Sequence, residues 1–270
     1  MSESVERYSG TLEAAERTEF LPFLHELVAV SAAIIREHYL TDAAVDWKSD
    51  QSPVTAADRL AERAMRTLIA GRYPRHGILG EEFGMERPEA RYRWVLDPVD
   101  GTKPFTANCY IFGTLIALAR DGVPILGAIA SPLTGHVLVG LGGTLTELNG
   151  KRMQVRDCRD IRDAVVLTTG HWETASRPYG PAFGQLSRRA RMYRTWGDCH
   201  GYFQVATGGA DVMLDPKLQP WDIFALVPVI EGAGGRVTTT AGGNPLHGND
   251  LLATNGALHD EILAALAARP

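Results

Sequence analysis

The spacing of hydrophobic residues changes twice along this chain, and those changes limit the folds open to it. Over the first 70 or so residues the spacing is helical. Phe20, Phe23, Leu24, Leu27, Val28, Ile34 and Ile35 predict a helix over 18–39. Thr55, with Asp58 three residues on, predicts a capped helix over 55–70 that Gly71 and Pro74 end. Leu60, Ala64, Leu68 and Ile69 are its expected buried face. Apolar runs of strand length then follow at 78–79, 92–96, 112–119, 125–130, 137–141 and 145–148, with Asp121-Gly122 and Asn149-Gly150 as hairpin turns. Beyond a polar stretch at 150–162 the elements alternate. Strands are expected at 164–168, 192–196, 211–214, 236–239 and 251–253. Helices are expected at 181–189, 201–207, 221–232 and 258–268. Helices, a meander and then alternation describe a mixed α+β and α/β fold. The boundary divides the chain into 1–150, helices plus an antiparallel sheet, and 151–270, an α/β unit.

Composition narrows the function classes. The 270 residues carry 27 Lys+Arg against 32 Asp+Glu, a net charge of -5, which argues against a nucleic-acid partner. Cys109, Cys158 and Cys199 form no CxxC pair, so neither a zinc knuckle nor a disulfide framework is expected. No HExxH spacing occurs among the histidines, which disfavours zinc hydrolysis. Residues 1–19 lack the apolar core of a signal peptide. Charge or glycine interrupts the apolar stretches before the roughly 20 residues of a membrane span. A cytoplasmic protein without a membrane partner is the expectation.

The acidic excess matters where carboxylates can converge. Three segments place acids at a strand end or a helix start: Gly80-Glu81-Glu82-Phe83, Asp97-Pro98-Val99-Asp100-Gly101-Thr102-Lys103, and Pro220-Trp221-Asp222. Such positions meet at the open edge of layered folds, where ligands bind. Asp97 and Asp100 are three apart, so one turn can aim both at one point. Clustered carboxylates repel unless a cation lies between them. Hard oxygen donors suit Mg2+ or Mn2+. A helix beginning near Gly101 would add free N–H groups for an anion. A divalent cation beside an anion pocket is equipment for phosphate-ester hydrolysis. Singly, each segment has a plainer explanation: a surface turn, solvated charge, or a helix N-cap.

In combination, Gly80-Glu81-Glu82, Asp97-Pro98-Val99-Asp100-Gly101-Thr102, Trp221-Asp222 with Gly234-Gly235, and the segment from Ser52 to Asp58 resemble the motifs of the inositol monophosphatase family. The resemblance implies a layered α-β-α-β-α sandwich of the inositol monophosphatase and fructose-1,6-bisphosphatase type. It also implies a homodimeric, Mg2+-dependent phosphomonoesterase acting on a small phosphorylated metabolite, in a family whose members are often lithium-sensitive. Glu81, Asp97 and the Val99 carbonyl would hold one metal, and Asp97, Asp100 and Asp222 a second. Glu81 with water would hold a third, weaker ion, giving two to three in all. Thr102 with Glu81 would orient and deprotonate the attacking water. The Gly101 and Thr102 N–H groups would hold phosphate oxygens. For Thr55 and Asp58, a capping role competes with one behind the metal site.

Two further segments are similar to the histidinol-phosphatase branch: 112–118 and 195–208, the latter containing Thr195-Trp196-Gly197-Asp198-Cys199-His200. Histidinol phosphate carries an amine and an imidazole. Asp198 and Asp215 would suit such a cation better than a neutral polyol. Alternatively Asp198 caps the following helix and Asp215 sits in a turn before Pro216. Asn108-Cys109-Tyr110, Pro104 and Gly232 depart from the family pattern. The reading is therefore histidinol-phosphate hydrolysis, with an inositol-1-phosphate or broad polyol phosphatase as the same-class alternative. A catalytically silent regulatory protein is the different-class alternative, disfavoured because every expected ligand is present.

Overall fold

The computed structural model describes residues 6–41, 46–47 and 53–268. The first five residues and Ser52 of the Ser52-to-Asp58 motif lie outside them. Helix α1 (Ala14–His38) starts earlier than predicted because Glu13 and Glu16 form a capping box there. By length and composition α1 could cross a membrane. Here its stripe of Phe20, Phe23, Leu24, Leu27 and Ile35 is buried in the core. Strands β1 (Asp46–Trp47) and β2 (Pro53–Val54) pair antiparallel before α2 (Ala56–Arg72).

The Thr55–Asp58 capping box forms as predicted: Thr55 N–H donates to Asp58 Oδ2 at 2.8 Å, and Ala57 N–H donates to Thr55 Oγ1 at 3.1 Å. The buried face of α2 differs from the prediction. Leu60 and Leu68 are 43% and 36% exposed, and Ala64 is half-buried. Ala57, Ala61, Met65 and Ile69 face the core, flanked by buried Asp58, Glu62 and Arg66. Both stripes have helical spacing. Distant hydrogen bonds made by the three charged residues decide between them.

The meander follows as β3 (Gly77–Gly80), β4 (Gly84–Glu86), β5 (Tyr92–Asp100), the short helix α3 (Thr102–Thr106), β6 (Gly113–Arg120), β7 (Val123–Ser131), β8 (His136–Leu141), β9 (Leu145–Leu148) and β10 (Lys151–Met153). These strands form one sheet in the order β10-β9-β8-β7-β6-β5-β3-β4, antiparallel except for the β3–β5 pair. Asp121 (φ 51°) and Gly122 (φ 82°) are both left-handed, as a two-residue type I′ hairpin turn requires. Strand β5 does not stop at Asp97. It continues to Asp100, with a register shift between the two aspartates.

The remaining elements are β11 (Val165–Leu167), α4 (His171–Ala175), α5 (Gly180–Arg189), β12 (Met192–Arg194), α6 (Asp198–Ala206), β13 (Val212–Asp215), α7 (Pro220–Gly232), β14 (Arg236–Thr238), β15 (Leu251–Thr254) and α8 (His259–Ala267). Their sheet has the order β12-β11-β13-β15-β14. Its β11 is parallel to both neighbours, and β15 is antiparallel to both of its own.

Five layers result. Phe23, Leu24, Met65 and Ile69 of α1 and α2 pack on Trp94, Leu96 and Ile116 of the first sheet. Tyr202 and Val205 of α6, with Leu226 and Ile230 of α7, fill the space between Val95, Leu115 and Ile129 and the second sheet's Met213 and Leu251. Phe183 of α5 and Ile262 of α8 close the far face on Val166 and Leu252. The expected α-β-α-β-α sandwich is the observed one.

Candidate active site

Parallel pairing of β3 with β5 opens both C-terminal ends on one edge of the first sheet. Glu81 follows β3, and its N–H donates to Leu96 O of β5 at 3.2 Å. Asp97, Val99 and Asp100 end β5. Asp222 arrives on the first turn of α7, where Gln219 N–H donates to its Oδ2 at 2.8 Å in a capping box. One carboxylate oxygen from each of Asp97, Asp100 and Asp222 then lies within 4.8 Å of the other two.

The electrostatics of this cluster are unfavourable without a cation. Burial, then the charges of Glu81, Asp100 and Asp222, push Asp97 far above the usual carboxylate range. Burial and Asp222 push Asp100 up to about 8, against the stabilising N–H of Cys199. Burial raises Asp222 to about 7 despite the Gln219 N–H. Asp97 Oδ1 is buried, and no donor among the described residues reaches it. Clustered oxygen donors with one lone pair unclaimed fit a hard divalent cation.

Beside the carboxylates the chain turns sharply at Gly101 (φ 88°), where a Cβ would lie 3.2 Å from Ile111 O. This turn starts α3, whose first residues line the same cleft. The Thr102 hydroxyl is 3.0 Å from Val99 O and 3.5 Å from Asp58 Oδ1. Asp58 therefore does two things. It caps α2 and also reaches the site from behind. Its spacing from Thr55 reveals only the cap, because the partner at Thr102 is distant in sequence.

The cleft measures about 710 Å3 and is lined by all of the predicted metal ligands, including the Val99 residue, and by Gly101, Thr102, Lys103 and Trp221. Asp198 lines it too, in a left-handed conformation (φ 49°), with its N–H donating to Thr169 Oγ1 at 2.8 Å. Burial and the charge of Asp100 hold Asp198 well above its ordinary value. Asp215 stands behind the cleft wall, where its charge still acts on Asp100, Asp198 and Asp222. It is 2% exposed, outside the cleft lining, and accepts from Thr169 N–H at 3.0 Å and Tyr202 O–H at 3.1 Å. Glu173 of α4 and Lys217 also line the cleft. Neither stands in a recognisable motif, and no local pattern announces an isolated charge on a five-residue helix or a loop.

The comparisons with known proteins agree with this geometry. The model of the inositol monophosphatase family matches residues 16–269. The chain is 38% identical over 233 residues to the chloroplastic bifunctional phosphatase IMPL2 of Arabidopsis thaliana, covering 86% of this chain and 67% of that protein. It is 35% identical over 232 residues to a histidinol-phosphatase of Mycobacterium tuberculosis, covering 84% and 89%. The solved structure of an inositol monophosphatase from Zymomonas mobilis superposes with a TM-score of 0.82 at 35% identity, covering 93% of this chain and 99% of that one. Fold, acidic edge and family match together establish that the chain belongs to the inositol monophosphatase family and is a phosphatase.

Proposed function

We propose that the chain is a Mg2+-dependent phosphomonoesterase that hydrolyses histidinol phosphate to histidinol and inorganic phosphate. The observation that carries the chemistry is the convergence of Asp97, Asp100 and Asp222 within 4.8 Å on a cleft. Glu81, these three aspartates and the Val99 carbonyl are the proposed ligands. Mg2+ bound there, or Mn2+ in its place, supplies an activated water and charge stabilisation for the leaving alkoxide. The Thr102 hydroxyl can donate a hydrogen bond to Val99 O or Asp58, which leaves a lone pair to accept from the water and orient it. Glu81 would take the proton that the attacking water loses. The N–H groups of Gly101 and Thr102 at the start of α3 hold the phosphate oxygens.

The leaving group sets the choice of substrate. Asp198 and Glu173 give the cleft two carboxylates beyond the metal ligands. Carboxylates suit the amine and imidazole of histidinol better than a neutral polyol. The similarity to a protein named histidinol-phosphatase supports the same choice. The similarity to a solved inositol monophosphatase favours the second reading, an inositol-1-phosphate or broad polyol phosphatase.

Phosphate release with each substrate, with Mg2+ and with EDTA, tests the proposal. Histidinol phosphate should be preferred and EDTA should abolish turnover. Asp198→Asn should raise KM for histidinol phosphate about 10-fold, the equivalent of one weakened charge-assisted hydrogen bond, and leave KM for inositol phosphate unchanged. A clear preference for inositol phosphate would overturn the assignment.

A further inference from the structure

We propose that Glu62 is a positioning residue for the metal centre: its buried carboxylate fixes the turn that carries Glu81. The proposal rests on the reading of Glu81 as a metal ligand. Glu62 stands on α2, one helical turn beyond Asp58, and is 0% exposed. Its Oε2 accepts the N–H of Glu82 at 2.7 Å, and its Oε1 accepts the N–H of Phe83 at 3.2 Å. Those two N–H groups belong to the residues directly after Glu81, between the end of β3 and the start of β4. On the other side, the Glu81 N–H is held by Leu96 O of β5. The backbone around Glu81 is therefore fixed from both α2 and β5.

Two more features fit the role. A Cβ on Gly80 would overlap the Glu62 carboxylate, so the residue before Glu81 must lack one for the carboxylate to reach the turn. The buried charge is also matched. Arg66 Nε donates to Glu62 Oε1 at 2.8 Å, while the same guanidinium reaches Glu86 Oε1 at 2.7 Å and the Gly84 carbonyl. Arg66 thus ties the carboxylate to the strand leaving the turn. Three N–H donors converge on Glu62, and a carboxylate is acceptor-only. A glutamine of the same size would point its NH2 at one of them.

A carboxylate that only stabilised the fold would not alter the metal affinity of the folded protein. Mn2+ binding, measured by electron paramagnetic resonance of the free ion well below the melting temperature, separates the two roles. Glu62→Gln should weaken Mn2+ binding at the Glu81-dependent position by about 10- to 100-fold, as expected for loss of a group that orients a ligand. Turnover should recover at raised Mg2+, with KM for the phosphate ester unchanged at saturating metal. Gly80→Ala should do the same by displacing the Glu62 carboxylate without changing its chemistry, and it serves if Glu62→Gln does not fold. Met65→Ala, buried on the same helix, should lower the melting temperature without changing Mn2+ affinity. If Glu62→Gln or Gly80→Ala behaves like Met65→Ala, the proposal fails. If Glu81→Gln itself binds Mn2+ as the unmodified protein does, the ligand reading fails and the proposal falls with it.

Discussion

At Asp97 a carboxylate oxygen is sealed from solvent with no donor beside it among the described residues, and two other aspartates stand within 4.8 Å. Raised values at Asp97, Asp100 and Asp222 mean that the metal-free fold favours their protonated forms. The stability this contributes is fully present below the unfolded carboxylate value of about 4. It is lost as pH rises through about 7 for Asp222 and about 8 for Asp100. In EDTA the melting temperature should therefore fall between about pH 5 and about pH 8. Mg2+ should restore it, because the cation needs ionised ligands. Asp222→Asn should reduce the fall in EDTA and remove the Mg2+ effect. A metal-free melting temperature that rose over this range would contradict the assignment. Asp97→Asn keeps the shape and removes a ligand charge. Turnover should drop by more than the roughly 100-fold that losing an outer partner costs.

Among the elements, α2 shows how a helix can bury charge for a reason. Its face carries Asp58, Glu62 and Arg66 beside Ala57, Ala61, Met65 and Ile69, while Leu60 and Leu68 face outward. Removing the Met65 side chain beyond Cβ leaves a core cavity. Met65→Ala should cost about 2–5 kcal/mol in urea denaturation. Leu68→Gln should change stability by less than about 0.5 kcal/mol. The opposite ordering would mean that the leucine stripe is the packed one.

Over the whole molecule, α7 links the two sheets. It lies on the first sheet at two places where a side chain would not fit: a Cβ on Gly127 would overlap Ala225 O, and one on Gly140 would overlap Pro228. This close approach sets where α7 begins, and so where Asp222 stands relative to Asp97 and Asp100. Gly140→Ala should cost about 1–3 kcal/mol by overpacking. It should also raise the Mg2+ concentration needed for half-maximal turnover, although residue 140 is outside the cleft. A stability loss with an unchanged Mg2+ requirement would show that α7 tolerates the shift without moving Asp222.

Features satisfied by near neighbours are legible in the sequence. The hairpin at Asp121-Gly122, the cap at Thr55 and Asp58, and the helix start at Trp221-Asp222 depend on residues within four positions of one another, and they form as the sequence predicts. The acidic motifs likewise identify their own residues. Tertiary structure decided the questions that need a distant partner. It chose the α2 face through bonds that join Glu62 to the turn between β3 and β4 and Arg66 to β4 itself. It placed Asp215 under Thr169 and Tyr202 while leaving Asp198 on the cleft. It brought Glu173 and Lys217 to the same cleft without any motif. Glu173 and Lys217 are exposed charges that only the chain path brings to the cleft; the first two cases share one physical reason. A cap or turn is satisfied by its own neighbours, whereas a buried charge is stable only where the fold delivers its hydrogen-bond partners.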